Sequence, residues 1–138
     1  MTSWIVGHTS RFRAAASERA VNAPASLFGT SDIGYWFEAY EVGGDPLTNP
    51  ELYWQRSPLS YAGSITTPLL ILHSENDLRC PIEQAEQLYV ALKKNGVPAK
   101  VIQYAGQPHG ITGSWNIVHR MLNERRWMDK YVKGKDVM

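Results

Sequence analysis

The sequence predicts an α/β fold with about three parallel strands flanked by helices. The continuously apolar run Leu69–His73 is typical of a central parallel strand that is covered on both faces. The segment 81–95 that comes next is amphipathic and long enough for a helix. From residue 69 onward the pattern alternates strand, helix, strand, helix, which produces a parallel sheet with right-handed crossovers.

The N-terminal half contains weaker signals. Residues 2–8 predict a short helix, and Phe12–Ser17, with its run of alanines, predicts a short strand. Residues 18–32 are rich in Ala, Asn, Pro, Ser and Gly and predict a loop. The apolar and aromatic segment 33–40 predicts a helix with Asp32 as its cap.

Clearer start and stop signals define the remaining elements. Asn49 followed by Pro50 predicts a helix start, and that helix should end before Ser57 and Pro58. The helix 81–95 should pack through one face and stop at Gly96. Ala99–Tyr104 predicts the next strand, and 114–132 a final helix. The inward side chains of these two helices are expected to be Ile82, Ala85, Leu88, Tyr89, Leu92, Trp115, Val118, Leu122 and Trp127.

Size and composition restrict the function classes. The 138 residues form one domain at most, and 43% of them are hydrophobic, as in globular proteins. Fourteen basic against 13 acidic residues give a net charge of +1, so neither nucleic acid nor a membrane surface is expected as a partner. The single cysteine, Cys80, cannot form an internal disulfide and fits a reducing compartment. We therefore expect a soluble, cytoplasmic protein.

Two residues with catalytic chemistry follow neighbouring strands. Asp77 comes just after the strand that begins at Leu69, and His109 lies between Pro108 and Gly110 after the next strand. The carboxyl ends of parallel strands meet at one edge of a sheet, so the two side chains can meet there. A carboxylate that accepts a hydrogen bond from one imidazole nitrogen leaves the other free to take a proton from a hydroxyl. An acid followed by a histidine is also the order used by hydrolases with a Ser-His-Asp triad when the serine comes first.

Simpler interpretations exist for each residue alone. Asp77 could cap the helix that starts near Pro81, and His109 could be an ordinary loop histidine. The other histidines and Cys80 lack the spacing of metal ligands, so neither a metal nor a cofactor is expected. For the aromatic residues at 35–37, 40, 53 and 54, core packing is favoured over a substrate pocket.

The segment from His73 to Pro81, together with Pro108-His109-Gly110, resembles the C-terminal part of the catalytic domain of the prolyl oligopeptidase family of serine peptidases. Within that family it resembles most the acylaminoacyl-peptidase or the dipeptidyl-aminopeptidase branch. The first residues, Met1–Trp4, resemble the segment directly after the Gly-Gly-Ser-Tyr-Gly-Gly-Tyr nucleophile elbow of that family. The resemblance implies the C-terminal half of an α/β-hydrolase fold, and residues 1–138 are expected to be a single partial domain of this kind.

The resemblance also implies roles for individual residues. Asp77 matches the acid of the catalytic triad, and His109 matches its base. Arg79 matches a position that contacts a backbone carbonyl of the substrate. The side-chain pocket of the family falls near Val21, Leu27 and Phe28. The implied substrates of the parent enzyme are short or N-acylated peptides.

One part of the family pattern is missing from the sequence. No Gly-x-Ser-x-Gly occurs in the 138 residues, so the nucleophile and its oxyanion-hole amide are absent and the chain alone is expected to be inactive. The strand Phe12–Ser17 would then expose an apolar edge, which favours a homo-oligomer. The alternative is a non-catalytic module that self-assembles or binds a small ligand or peptide near Arg79 and His109.

Overall fold

A three-stranded parallel sheet forms the centre of the molecule. In the computed structural model, which describes residues 1–136, the strands are β1 (Ala15–Glu18), β2 (Leu69–Ser74) and β3 (Ala99–Tyr104), in the order β1-β2-β3. Ala15 lies opposite Leu69, and Leu69 lies opposite Ala99. The predicted class, parallel strands flanked by helices, is therefore confirmed.

Within residues 1–136, six α-helices and two irregular helical segments precede, connect and follow the strands. The α-helices are α1 (Thr2–His8), α2 (Pro24–Thr30), α3 (Gly34–Glu38), α4 (Pro50–Gln55), α5 (Glu83–Lys94) and α6 (Ser114–Lys133). A π-helical turn spans Ala39–Gly43, and a 3₁₀ segment spans Pro58–Ser64. The helices predicted at residues 2–8, 50–56, 81–95 and 114–132 are present with small shifts at their ends.

The two faces of β2 each pack against a separate apolar cluster. All six residues of β2 are buried, as the apolar run predicts for a central strand. Side chains alternate along a strand, so Leu69 and Ile71 face one way and Leu70 and Leu72 the other. The first pair packs with residues of α1, α5 and the 3₁₀ segment. The second pair packs with Tyr104 and with Trp127 of α6.

The structure corrects the prediction for residues 12–32. The strand predicted at 12–17 is observed as β1, which begins at Ala15 and ends at Glu18. Its pairing begins with the hydrogen bond from the Ala15 N–H to the Pro68 carbonyl. The predicted loop 18–32 contains helix α2. This helix is fixed from outside: the Gln84 side-chain oxygen, in α5, accepts the backbone N–H groups of Asn22 and Ala23 at 2.9 and 2.8 Å. Gln84 lies 62 residues after Asn22, and a contact over that separation produces no local signal in the sequence.

The helix predicted at 33–40 also differs. It is α-helical only over α3 and continues as the π-helical turn. Asp32 does not cap it; Ser31 Oγ accepts the Ile33 N–H at 3.3 Å, and the Asp32 carboxylate binds Arg79 instead. Asp32 does not cap the helix because its carboxylate is paired with the guanidinium of Arg79.

The inward face predicted for the last helix is mostly wrong. Trp127 is buried, but Trp115 is 84% exposed and Val118 and Leu122 are each 42% exposed. Within residues 1–136, Trp115 is left almost uncovered and Val118 and Leu122 are covered only in part. The aromatic residues Tyr35, Trp36, Tyr40 and Trp54 are exposed too, Phe37 is half-buried, and of the six Tyr53 is the one that is fully buried. Among residues 1–136 no helix combines the length and apolar character that a bilayer crossing requires.

Candidate active site

The turn after β2, residues 75–82, which we call the acid loop, carries a fully buried carboxylate. Asp77 Oδ1 accepts the backbone N–H groups of Arg79 at 3.0 Å and Cys80 at 2.8 Å. The Asp77 side chain is 0% exposed. These two amides place the carboxylate at the carboxyl edge of the sheet and leave its second oxygen free for another partner.

The turn after β3, residues 105–113, which we call the histidine loop, lies beside the acid loop. The Asn76 N–H donates to the Gln107 carbonyl at 3.0 Å, and the Gly106 N–H donates to the Glu75 carboxylate at 2.8 Å. Gly106 has φ +67, a conformation that a side chain disfavours, which suits a glycine at this turn. The two loops are therefore joined before His109 is reached.

The two loops bring Asp77 and His109 into contact. His109 Nδ1 lies 2.8 Å from Asp77 Oδ2. With Asp77 ionised, Nδ1 carries the proton and donates it, so Nε2 presents its lone pair. The His109 side chain is 42% exposed, whereas Asp77 is buried. A fixed tautomer with an accessible basic nitrogen is the arrangement that a general base requires.

A second histidine stabilises the acid loop from within the core. His73 Nε2 lies 2.6 Å from the Cys80 carbonyl oxygen, to which it donates, and 3.7 Å from Asp77 Oδ2. His73 is 1% exposed, so it is a structural support and not a base for substrate. No signal in the sequence indicated this role, because the contacts depend on how the turn after β2 folds back on the strand.

The cysteine of the acid loop has no nucleophilic character. Burial, with smaller contributions from the charges of Asp77 and Glu38, raises the pKa of the Cys80 thiol to about 11. The thiol is therefore protonated near neutral pH, and the thiolate is the form that reacts.

Arg79 lies at the surface of the acid loop, paired with the residue predicted as a helix cap. Its Nε donates to Asp32 Oδ1 at 2.8 Å and its Nη2 to Oδ2 at 3.3 Å, and the hydrogen bond from Arg79 lowers the pKa of Asp32. Two further contacts fasten the same segments: Ser31 Oγ donates to the Arg79 carbonyl, and the Asp32 N–H donates to the Leu78 carbonyl. No local pattern in the sequence indicated this pairing.

The three residues expected to form a side-chain pocket lie in different surroundings. Leu27 is 1% exposed and belongs to the core. Phe28 is half-buried, with its ring edge-on to Tyr53 at 6.5 Å between centroids. Val21 is half-buried and lines a surface depression with Trp4 and neighbouring residues. Their role as a substrate pocket stays a prediction.

Comparison with known proteins identifies the family of this chain. Residues 1–135 match the prolyl oligopeptidase family. The chain belongs to this family. The predicted resemblance to the prolyl oligopeptidase family is thereby confirmed.

Individual relatives in the prolyl oligopeptidase family agree with this assignment. The chain is 43% identical, over 96% of its length, to the uncharacterized peptidase YuxL of Bacillus subtilis, and 33% identical to the acylamino-acid-releasing enzyme of Arabidopsis thaliana. It superposes with a TM-score of 0.91 and 32% identity, over its whole length, on an acylaminoacyl peptidase in complex with Z-Gly-Gly-Phe-chloromethyl ketone. It spans 20% and 18% of the two curated relatives and 23% of the solved structure.

Proposed function

We propose that residues 1–138 supply the acid and the base of a Ser-His-Asp triad in a serine peptidase of the acylaminoacyl-peptidase type. The observation that carries this proposal is the 2.8 Å contact between the buried Asp77 carboxylate and Nδ1 of the accessible His109 ring. Asp77 orients the ring and stabilises the imidazolium, and His109 Nε2 takes the proton of the attacking serine. On this proposal the chain is a single partial α/β-hydrolase domain.

The attacking serine is not found near His109 within the described chain. Among residues 1–136 no hydroxyl group hydrogen-bonds to the His109 ring. The sequence also lacks Gly-x-Ser-x-Gly. A hydroxyl without an elbow and an oxyanion hole lacks roughly 3–4 kcal/mol of transition-state stabilisation for each missing donor. The 138-residue chain by itself is therefore inactive in this proposal.

The substrates proposed for the complete active site are short or N-acylated peptides. Support comes from the name of the Arabidopsis thaliana relative and from the peptide chloromethyl ketone bound to the solved structure. Arg79, exposed on the acid loop, has Nη1 available to donate a hydrogen bond to a substrate carbonyl while Nε and Nη2 bind Asp32. Val21, Leu27 and Phe28 are the proposed side-chain pocket.

The decisive experiment is a chimera in which residues 1–138 replace the matching segment of the Bacillus subtilis peptidase. It should hydrolyse an N-acylated amino-acid anilide. His109→Ala and Asp77→Asn should each lower kcat by about 10⁴-fold or more, because triad residues act as a unit. The matched control is His119→Ala, a histidine on α6 outside the two loops. If His109→Ala kept most of the chimera's activity, His109 would not be the base.

The isolated chain provides a second test. A fluorophosphonate probe, which labels activated serines, should leave the 138-residue chain unlabelled. The chimera should be labelled at one serine that lies outside residues 1–138. Labelling of a serine within the isolated chain would contradict the proposed division of the triad.

A second candidate function, self-association, is favoured by the outer edge of β1, which we call the free edge. The N–H groups of Ala15 and Arg19 pair toward β2. Because alternate residues of a strand present their backbone groups to opposite sides, Ala16 and Glu18 point theirs away from β2, where the described residues provide no strand. Exposed Ile5 and Phe12 lie beside this edge. We infer that a second copy covers it.

Light scattering after size exclusion tests this inference. The wild-type chain should elute with at least twice the monomer mass of 15.5 kDa. Ala16→Pro removes an N–H that β2 does not use and should restore the monomer while circular dichroism shows retained folding. A wild-type mass of one monomer would exclude self-association.

The proposed cytoplasmic location is supported by one observation, the free and buried thiol of Cys80.

A further inference from the structure

Arg19, the residue directly after β1, has an unusual backbone conformation. Its φ is 45°, and among residues 1–136 it is the one non-glycine residue with positive φ. Left-handed backbone is unfavourable for a residue with a Cβ, and such conformations persist where surrounding contacts fix them. The Arg19 N–H still donates to the Leu72 carbonyl at 3.0 Å, so the turn occurs immediately at the end of strand pairing.

The contacts of the Arg19 side chain reach the histidine loop. Its Nη1 donates to the backbone carbonyl of His109 at 3.0 Å, and its Nη2 donates to the Glu18 carboxylate at 3.4 Å. The left-handed turn therefore carries a guanidinium from the end of β1 to the backbone of the proposed base.

A second arginine keeps this side chain in place. Arg120 of α6 donates through Nη1 to both oxygens of Glu18, at 3.0 and 2.9 Å. Burial raises the pKa of Glu18, but a hydrogen bond with Glu124 and the charge of Arg120 outweigh it, and the pKa is lowered overall. Glu18 is thus the anion that both arginines need. The chain of contacts Arg120–Glu18–Arg19 joins α6 and β1 to the histidine loop.

The remaining hydrogen bonds that hold the histidine loop are made by residues other than His109. Gln107 accepts the Asn76 N–H through its backbone and the Thr112 N–H through its side chain. On His109, the described hydrogen bonds are the ring contact with Asp77 and the carbonyl contact with Arg19. The ring direction depends on the His109 backbone, and Arg19 is the side chain that restrains it.

We propose that Arg19 is a positioning residue, which fixes the backbone of His109 so that its imidazole stays aligned with Asp77. This inference rests on the proposed function, in which that alignment makes His109 the base. A planar guanidinium can bind a carbonyl and a carboxylate with separate nitrogens, which a lysine ammonium matches poorly. An arginine is therefore required and a positive charge alone does not suffice.

The experiment follows the proton between His109 Nδ1 and Asp77 in the 138-residue chain by NMR at one fixed pH. Arg19→Ala and Arg19→Gly should make its exchange with solvent about tenfold faster, the factor that loss of one hydrogen bond corresponds to. Arg19→Lys should recover only part of the protection. The glycine variant also removes the cost of the positive φ, so it loses less stability than the alanine variant and serves as the second test.

The control is Arg13→Ala, which removes an exposed arginine from the segment before β1 and should leave the exchange rate unchanged. An unchanged rate in Arg19→Gly would overturn the role of Arg19 and leave the proposed function intact. If the wild-type chain showed no shared proton at all, the proposed base and with it the role of Arg19 would be overturned. An ion pair that only stabilised the fold would shift the unfolding midpoint without changing this rate.

Discussion

The carboxyl edge of the sheet and the exposed face of α6 differ in how completely the described residues provide partners for their side chains. At the carboxyl edge, Asp77 is fully buried and accepts hydrogen bonds from two amides and an imidazole. On the other face, Trp115 is 84% exposed and Met121 57% exposed. The proposed acid and base are therefore held by contacts within this chain, whereas the apolar side chains on α6 stay exposed within residues 1–136.

The largest expected effect tests the completeness of the carboxyl edge. Asp77→Ala should lower the free energy of unfolding by roughly 3–5 kcal/mol, because the donors of Arg79, Cys80 and His109 lose a buried charged acceptor. Urea denaturation measures this. The matched control is Asp45→Ala, since Asp45 Oδ1 also accepts two backbone amides, from Leu47 and Thr48, but at the surface. Its cost should be about 1 kcal/mol, and equal costs would show that burial adds nothing at Asp77.

A pair of leucines compares the two regions directly. Leu72→Ala in β2 should lower the free energy of unfolding by about 3 kcal/mol, because Leu72 is fully buried and its loss leaves a cavity beside Tyr104 and Trp127. Leu122→Ala on α6 should change the unfolding free energy by less than about 0.5 kcal/mol, because Leu122 is already 42% exposed. Both are measured by urea denaturation at low protein concentration. A large cost for Leu122→Ala that grows with concentration would mean that a second copy covers α6.

The smallest effect concerns a buried carboxylate without the partners that Asp77 has. Glu38 is 3% exposed, and within residues 1–136 its side-chain carboxylate has no hydrogen-bond or ion-pair partner. Burial, and to a lesser degree repulsion from Glu41, raises its pKa from 4.5 to about 7. The folded state thus keeps a proton that the unfolded chain releases, so the stabilisation is full below about pH 4.5 and is lost as the pH rises to about 7.

Glu38→Gln should remove this pH dependence. At about pH 8 the variant should be more stable than the wild type by roughly 1–2 kcal/mol once solvent screening is allowed for, and at about pH 4 the two should be equal. Thermal unfolding across this range measures the difference. The exposed Glu51→Gln serves as control and should follow the wild-type profile. A wild-type profile that stays parallel to that of Glu38→Gln would contradict the shifted pKa.

The sequence predicted the elements whose signal is local. The apolar run of β2, the amphipathic pattern of α5 and the Asn49-Pro50 start of α4 are all read within a few residues, and each is present. Helix α2 and the partner of Asp32 were missed, because Gln84 and Arg79 fix them from more than 40 residues away. The prediction of an inward face for α6 was wrong for three side chains. An apolar residue type does not show whether another part of the same chain packs against it.

The sequence by itself determined the parallel α/β class, the family and the meeting of Asp77 with His109, because buried strands and the acid and histidine loops carry compact patterns of residue type. Only the tertiary structure decided that His73 supports the acid loop, that Arg79 pairs with Asp32 and that Arg19 reaches the His109 carbonyl. Those contacts depend on distances between side chains of different elements. The packing of the sheet sets such distances, and no local pattern encodes them.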